Sequence, residues 1–599
     1  MKKRSEIQEN LKWDLSRLYK SQAEYEEALK KCQTMAKNIK EEYKGKICTA
    51  DIAGRCLEKY NELLILIDHV SHYAELSVAV DMTDAENQKR EIDFDNKAAE
   101  IFSGIKFVEE EISKLDKDTL EELNRSYPQF SVFVEAILRR KPYMLEPKIE
   151  ELLETISPVL ESNYRGYEVT KMSDISFPDI EVDGKTYPNS YVLFENEYQY
   201  SSDTALRREA SKQFYKEIDK YKNTTAHYYQ SHLQKEKAIS DLRGYSSIFD
   251  YLLMEQNVTK DLYDRQIDVI MKELAPHMRK YASLIKKEYN LDKMTFADLK
   301  VPLDTSFEPE ISIEESKEYI EGALSLLGKD YLDMIMKSYD ERWVDYAQNI
   351  GKSTGGFCAS PYGKKSYILL SWTGMLGEIF TLVHEFGHAG HFILAQEHNS
   401  YLNTEPSLYF IEAPSTMNEL LLIQYLLKKY ENDPKMKRWV LSNMIANTYF
   451  HNFVTHLLEA AYQREVYKII DAGGSVQAEE LSAIKRKVLE DFWGDEIEIE
   501  EGAELTWMRQ PHYYMGLYPY TYSAGLTIGT QMSRKIAEQG QKAADGWLEV
   551  LKSGGTKNPI ELAKMVGIDI TTEQPLRDTI AFIGSAIDEI EALTDQLRQ

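Results

Sequence analysis

His384-Glu385-Phe386-Gly387-His388 is the stretch from which the rest of the chain can be read. Residues four apart on a helix project from one face, so both imidazoles can reach a single metal ion. Glu385 follows the first of them, near enough to accept a proton from a water activated at that ion. With only 12 histidines in 599 residues, this H-E-x-x-H pattern arises by chance on the order of a few hundredths of the time.

The surroundings strengthen the reading. Ile379, Phe380, Val383, Phe386 and Ile393 recur at helical spacing, as in a helix buried on most sides. Gly387 and Gly390 cost such a helix roughly 1 kcal/mol each relative to alanine, which predicts close approach of another backbone or of the metal site. A core helix that merely carries histidines is the competing reading. It gives no reason to bury an ionisable Glu385 beside two imidazoles.

Upstream, residues 364–372 are short, apolar and aromatic, bounded by Gly363 and Gly374, and read as a strand feeding the helix. The glycine-rich run 351–358 precedes it. Its Gly351-Lys352-Ser353 ends like a phosphate loop, but the opening glycine falls on Tyr346, so a nucleotide site is a weak reading. A strand edge here would either pair with an extended peptide or form an ordinary hairpin.

A catalytic zinc needs three protein ligands and one open position. The spacing H-E-x-x-H-x-x-G-x-x-H requires glycine at 391 and histidine at 394; the chain has His391 and Leu394. The remaining source is a carboxylate on a nearby second helix. Residues 408–428 have a helical pattern, kinked or restarted at Pro414, with Glu412 and Glu419 seven apart.

His384-Glu-Phe-Gly-His-Ala-Gly-His391, followed by Ile411-Glu-Ala-Pro-Ser-Thr-Met-Asn-Glu419, resembles the thimet-oligopeptidase-like zinc metallopeptidases, most closely their oligoendopeptidase F branch. The resemblance implies one Zn2+ ion held by His384, His388 and Glu412, with Glu385 as general base. It sets Glu419 behind a ligating imidazole, which it orients. His391 is expected behind the ligands or facing substrate, and His398, after the helix, has no expected role.

Pro511-His512-Tyr513-Tyr514 and Tyr518-Pro-Tyr520-Thr-Tyr522 form the other unusual stretch. Peptide hydrolysis builds negative charge on the carbonyl oxygen, and fixed histidine or tyrosine donors stabilise it. The resemblance extends here and implies that His512 and Tyr518 or Tyr522 hold that oxygen and the substrate backbone. Among 40 tyrosines, each of these is as readily a packing residue.

Hydrophobic and charged contents of 43% and 29% are those of a soluble globular protein long enough for a second domain. The longest apolar runs, such as residues 63–67, predict no membrane span, and the start lacks a secretory signal. Cys32, Cys48, Cys56 and Cys358 contain no C-x-x-C pair and suggest a reducing, cytoplasmic setting. A net charge of -27 argues against nucleic acid and anionic membranes as partners.

The chain is expected to be mainly α. Ser21-x-x-Glu24, Thr83-x-x-Glu86 and Ser312-x-x-Glu315 read as helix starts, the last helix closing at Gly328. Residues 175–195, around Asp183-Gly184 and including Tyr191-Val-Leu-Phe194, read as a β-hairpin region. Asp203 caps a new helix, which sets an expected division into a helical domain, 1–200, and a catalytic domain, 201–599. The resemblance implies a large two-domain zincin-like fold with a deep cleft and a small β element near the site. The expected activity is a zinc endopeptidase acting on short unstructured peptides. The rivals are an exopeptidase, a metallocarboxypeptidase or dipeptidyl carboxypeptidase with Arg509 or Arg534 receiving the terminal carboxylate, and a non-catalytic peptide-binding protein.

Overall fold

A computed structural model describes residues 2–305, 307–353 and 355–599, so Thr354 of the phosphate-loop-like run lies outside the described residues. The molecule is mostly helical, as expected. Its buried apolar side chains gather into a smaller core between Tyr25 and Ile137 and a larger one between Ile180 and Leu593. A third cluster of Trp13, Leu18, Leu76, Val80, Tyr367 and Leu369 seams the smaller body to strands of the larger.

The smaller body is built on the helices Gln22–Tyr43, Ala50–Val80 and Ala85–Ile105. Ser21 caps the first by accepting from the Glu24 N–H, as its spacing predicts. Thr83 does not cap the third. Asp84 does, accepting from the N–H groups of Glu86 and Asn87, while Thr83 is itself bound to Asp81. The helix Ala50–Val80 is long and apolar enough to cross a membrane by length and composition alone, which the short apolar runs did not predict. Here Ala53, Cys56, Leu57, Leu63, Val70 and Ala74 are fully buried in the core of the smaller body.

Five short strands occur among the described residues. β1 (Ile180–Val182) and β2 (Lys185–Tyr187) form the expected hairpin, turning at Asp183 (φ 50) and Gly184 (φ 75) as an Asp-Gly turn does. Tyr191-Val-Leu-Phe194 is not part of it. Ser190 accepts from the Leu193 N–H and starts a helix, Tyr191–Asn196, despite strand-like composition. β3 (Val344–Asp345), β4 (Phe357–Ala359) and β5 (Tyr367–Leu369) make a sheet in the order β3-β5-β4, β5 being the predicted strand. β4 is therefore an edge. Lys352 is no phosphate ligand: its Nζ is buried against Asp345 and the carbonyls of Ala347 and Leu370.

In the larger body Ser312 caps Ile313–Leu324, and Gly328 (φ 92) follows one further turn. Asp203 caps Thr204–Asp219. The motif helix runs Glu378–His398. The helix expected over 408–428 begins only at Ala413, with Pro414 in its first turn, where a missing N–H costs nothing. A π-helical stretch, Met444–Thr455, leads into the helix His456–Asp471, and Tyr520–Gln539 follows the tyrosine-rich loop.

Candidate metal centre

Glycine spacing brings three helices into near backbone contact. A Cβ on Gly387 would meet Ser415 Cα at 2.5 Å and Pro414 O at 2.6 Å, so the motif helix lies against the start of Ala413–Lys429. On the far side of that start, a Cβ on Gly525 would meet Glu412 Cβ at 2.8 Å, and one on Gly529 would meet Thr416 Oγ1 at 2.7 Å. Gly390 admits Tyr331, whose hydroxyl oxygen would lie 2.2 Å from an added Cβ. The close approach predicted at 387 and 390 is thus to a backbone and to a tyrosine.

This packing sets Glu412, the residue before the second helix, opposite the motif. Its Oε2 lies 3.4 Å from His384 Nε2 and 3.3 Å from His388 Nε2. Donors about 2.0–2.1 Å from a tetrahedral zinc stand roughly 3.3 Å from one another. Glu412 Oε2 stands at that separation from both imidazole nitrogens, and the three donors lie within 4.8 Å of one another, which fits such an ion. The three side chains are 26%, 14% and 17% exposed, so the donor face is open on one side.

Glu419, two turns along the same helix, lies behind His384 with Oε1 2.7 Å from Nδ1. Its Oε2 accepts the Thr448 hydroxyl from the π-helical stretch. Nδ1 is thereby occupied, and Nε2 is left for a cation. Burial disfavours charge on His384, but the hydrogen bond and charge of Glu419, with Glu412 and Glu385, prevail and raise its pKa to about 10. Burial works against an ionised Glu412 too, yet His388, His384 and Ser415 hold it well below the usual carboxylate range. Three carboxylates around two imidazoles leave a negative excess that a divalent cation would balance.

Glu385 is buried at 6% exposure, and its carboxylate makes no hydrogen bond among the described residues. Burial raises its pKa, opposed by His384 and His388 and reinforced by Glu412 and Glu419. That is the direction a proton acceptor needs to work near neutrality.

The tyrosine-rich loop returns to the other side of Glu412. His512, Tyr518 and Tyr522 form a triangle with ring centroids 5.3 to 5.7 Å apart. Burial raises both tyrosine pKa values, and the Glu412 charge adds to the effect, so both hydroxyls stay protonated donors. Tyr513 and Tyr520 are buried in packing.

A cluster that no local pattern singled out lies behind them. Glu459 Oε2 lies 2.8 Å from His456 Nδ1 and 3.3 Å from His512 Nδ1, and His456 Nε2 lies 3.1 Å from His451 Nε2. The rings of His456 and Tyr522 stack at 4.0 Å. The available sequence signal was His456-x-x-Glu459, a pair three apart on one helix face.

Four other residues singled out in the sequence lie away from the open donor side. His391 does not face substrate; it is 1% exposed, packed on Phe410 with Nδ1 lacking a partner among the described residues, and burial lowers its pKa to about 3. Arg509 is bound to Glu195 at 2.8 Å and Tyr215 at 3.3 Å. Arg534 lies twelve residues past Tyr522 on one helix, about 18 Å along its axis. His398 caps its own helix end through Leu394 O.

Two cavities are lined by neighbours of the site's residues. One of about 550 Å³ is lined by Asp68 and Glu75 of the smaller body, Cys358 of β4, and Phe392 and Gln396 of the motif helix; Cys358 is close enough to feel the Glu385 charge. Another, of about 530 Å³, reaches His451, whose ring is 5.9 Å from Tyr522. β4 lies beside the motif helix, a Cβ on Gly356 meeting Thr381 Cγ2 at 3.1 Å, one turn before His384.

Residues 197–582 match the model of peptidase family M3. The chain belongs to that family. Residues 111–177 match the model described as Oligopeptidase F. The chain is 27% identical to oligopeptidase PepF of Bacillus subtilis, covering 100% of this chain and 89% of the relative. It is also 27% identical to the oligoendopeptidase F homolog of Borreliella burgdorferi, covering 98% and 99%. The crystal structure of oligoendopeptidase-F from Enterococcus faecium superposes with a TM-score of 0.74 at 22% identity, covering 96% of this chain and 99% of that one. The fold is therefore that of the oligoendopeptidase F type, and the protein is a metallopeptidase acting on oligopeptides.

Proposed function

We propose that the protein is a zinc-dependent endopeptidase cutting internal bonds of short, unstructured peptides. The observation that carries this is the convergence of His384 Nε2, His388 Nε2 and Glu412 Oε2, all within 4.8 Å of one another and with Glu412 Oε2 3.3–3.4 Å from each imidazole, beside the buried Glu385. Zinc bound there would polarise the scissile carbonyl and acidify the attacking water. Glu385 takes the proton of that water and delivers it to the leaving amine. His512, Tyr518 and Tyr522 donate to the carbonyl oxygen as its charge grows. The free edge of β4 offers backbone groups to an extended peptide crossing the motif helix.

Internal cleavage is favoured over the exopeptidase reading because Arg509 is already paired and Arg534 is distant. A protein that only bound peptides would gain nothing from burying Glu385 beside two imidazoles. The reading includes a reducing, cytoplasmic setting, in keeping with four unpaired thiols, two of them buried. The test is mass-spectrometric mapping of cuts in a mixed peptide library, with chelator and after zinc is restored. Internal cuts that vanish and return support the reading. Cleavage indifferent to chelator, or confined to one terminus, rejects it.

A further inference from the structure

The cavity beside His451 contains a cation that the proposed chemistry does not use. Lys300 lines this cavity of about 530 Å³ and also a smaller one of about 90 Å³ that reaches Glu459. Among the described residues its ammonium makes no hydrogen bond or ion pair, and rests over the Tyr200 ring, 5.9 Å from the centroid. Neighbouring charges are committed elsewhere: Arg509 to Glu195, Glu459 to His456 and His512, and Arg438 to Asp304. Lys435 and Glu308 also line the cavity, Lys435 over the Phe307 ring. Burial lowers the Lys300 pKa to about 8, so at neutral pH most of it stays charged.

An ammonium half-buried without a counter-ion is costly unless a ligand supplies the anion. His451 in the cavity lining has its ring 5.9 Å from Tyr522, which feels the charge of Glu412, so the cavity lies on the Tyr522 side of the metal centre. We propose that Lys300 is the cation of a carboxylate-binding subsite that holds an anionic group of the bound peptide in the cavity beside His451. The inference rests on the peptidase reading and adds what the site selects. The carboxylate is an acidic side chain of the peptide or a C-terminus some residues beyond the cut, since no metal-centre residue lines the cavity, so the bond cut remains internal.

Binding to zinc-loaded Glu385→Gln protein reads the subsite without turnover. One peptide is compared as free acid, as C-terminal amide, and as an amide carrying an added glutamate near its end, by competition with a labelled peptide. With Lys300 present, the free acid or the glutamate-bearing amide should bind roughly tenfold or more tighter than the plain amide. Lys300→Met should abolish that preference and leave plain-amide affinity unchanged; Lys300→Arg should keep it. Preference for the acid alone assigns the C-terminus, and preference for the glutamate-bearing amide assigns a side chain. Equal binding of all three peptides, or a preference surviving Lys300→Met, overturns the proposal. Absence of hydrolysis by the parent enzyme with the preference intact would reject the peptidase reading and leave the subsite standing.

Discussion

Glu419 Oε1 lies 2.7 Å from Nδ1 of His384, on the opposite side of the ring from the nitrogen that faces Glu412. The carboxylate fixes both the tautomer and the ring plane. Replacing Glu419 with alanine should weaken zinc binding by about 10–100-fold. Competition with a chromogenic chelator measures it; unchanged affinity would remove Glu419 from the site.

Glu385 is assigned to proton transfer and not to holding the ion. Glu385→Gln should therefore lower kcat by about 10²–10⁴-fold or more while the purified protein keeps one zinc per chain. Turnover within a few-fold of the parent would end that assignment. Metal analysis alongside kinetics separates the two roles.

Glu459 bridges two imidazoles, 2.8 Å from His456 and 3.3 Å from His512. Burial opposes its ionisation, but His456 and His512 hold its pKa well below the ordinary carboxylate range. It stays charged at working pH and orients His512 through Nδ1. Glu459→Gln should reduce kcat about tenfold or more with little change in zinc content, and Glu459→Asp should restore part of it. A change in KM alone would show that the pair shapes substrate binding instead.

Gly387 lets the motif helix meet Pro414 and Ser415 backbone to backbone. Gly387→Ala should force the helices apart, costing about 1–3 kcal/mol and lowering metal affinity together with stability. Urea unfolding of the zinc-free protein isolates the packing cost. Wild-type stability there would mean that the contact yields easily.

Asp298 is fully buried against Arg207 at 2.6 Å and is also bound by Arg208 at 2.9 Å. Burial pushes its pKa up, but Arg208 and Arg207 outweigh that and hold it below its ordinary 3.8. The stability this carboxylate contributes is complete above the unfolded pKa and is lost as pH falls through the lower folded value. Asp298→Asn leaves Arg207 buried without its charge partner and should cost about 3–5 kcal/mol at pH 7. The variant's unfolding free energy should also vary less than the parent's below pH 4; identical acid profiles would assign the acid sensitivity elsewhere.

What could be read from the sequence follows the range of the interactions. His384, Glu385 and His388 share one turn, so helical periodicity alone brings them together. Glu412 and Glu419 depended on where a second helix begins, and Pro414 marks that start. Glu459 carried no such mark: it is one of 99 acidic residues, and its meaning appears only when the loop bearing His512 folds back from 53 residues away. Of the two places expected for His391, behind the ligands or facing substrate, burial excludes the second. Seven residues past His384 it keeps the same helical face, but two turns on, that face meets Phe410 and not the open donor side. Tyr191-Val-Leu-Phe194 has strand composition, and one serine hydroxyl at its N-terminus decides for a helix.

Gly387, Gly525 and Gly529 clamp three helices so closely that cation donors and tyrosine hydroxyls ride on one stiff block. The smaller body meets the sheet through an aromatic and aliphatic seam that includes Trp13, Leu76 and Tyr367. The donor spacing is thus set by backbone contacts within the larger body, and the smaller body joins that body from outside the clamp. A substitution in the outer body therefore leaves the donor spacing locked, whereas one bulkier residue at the clamp shifts it.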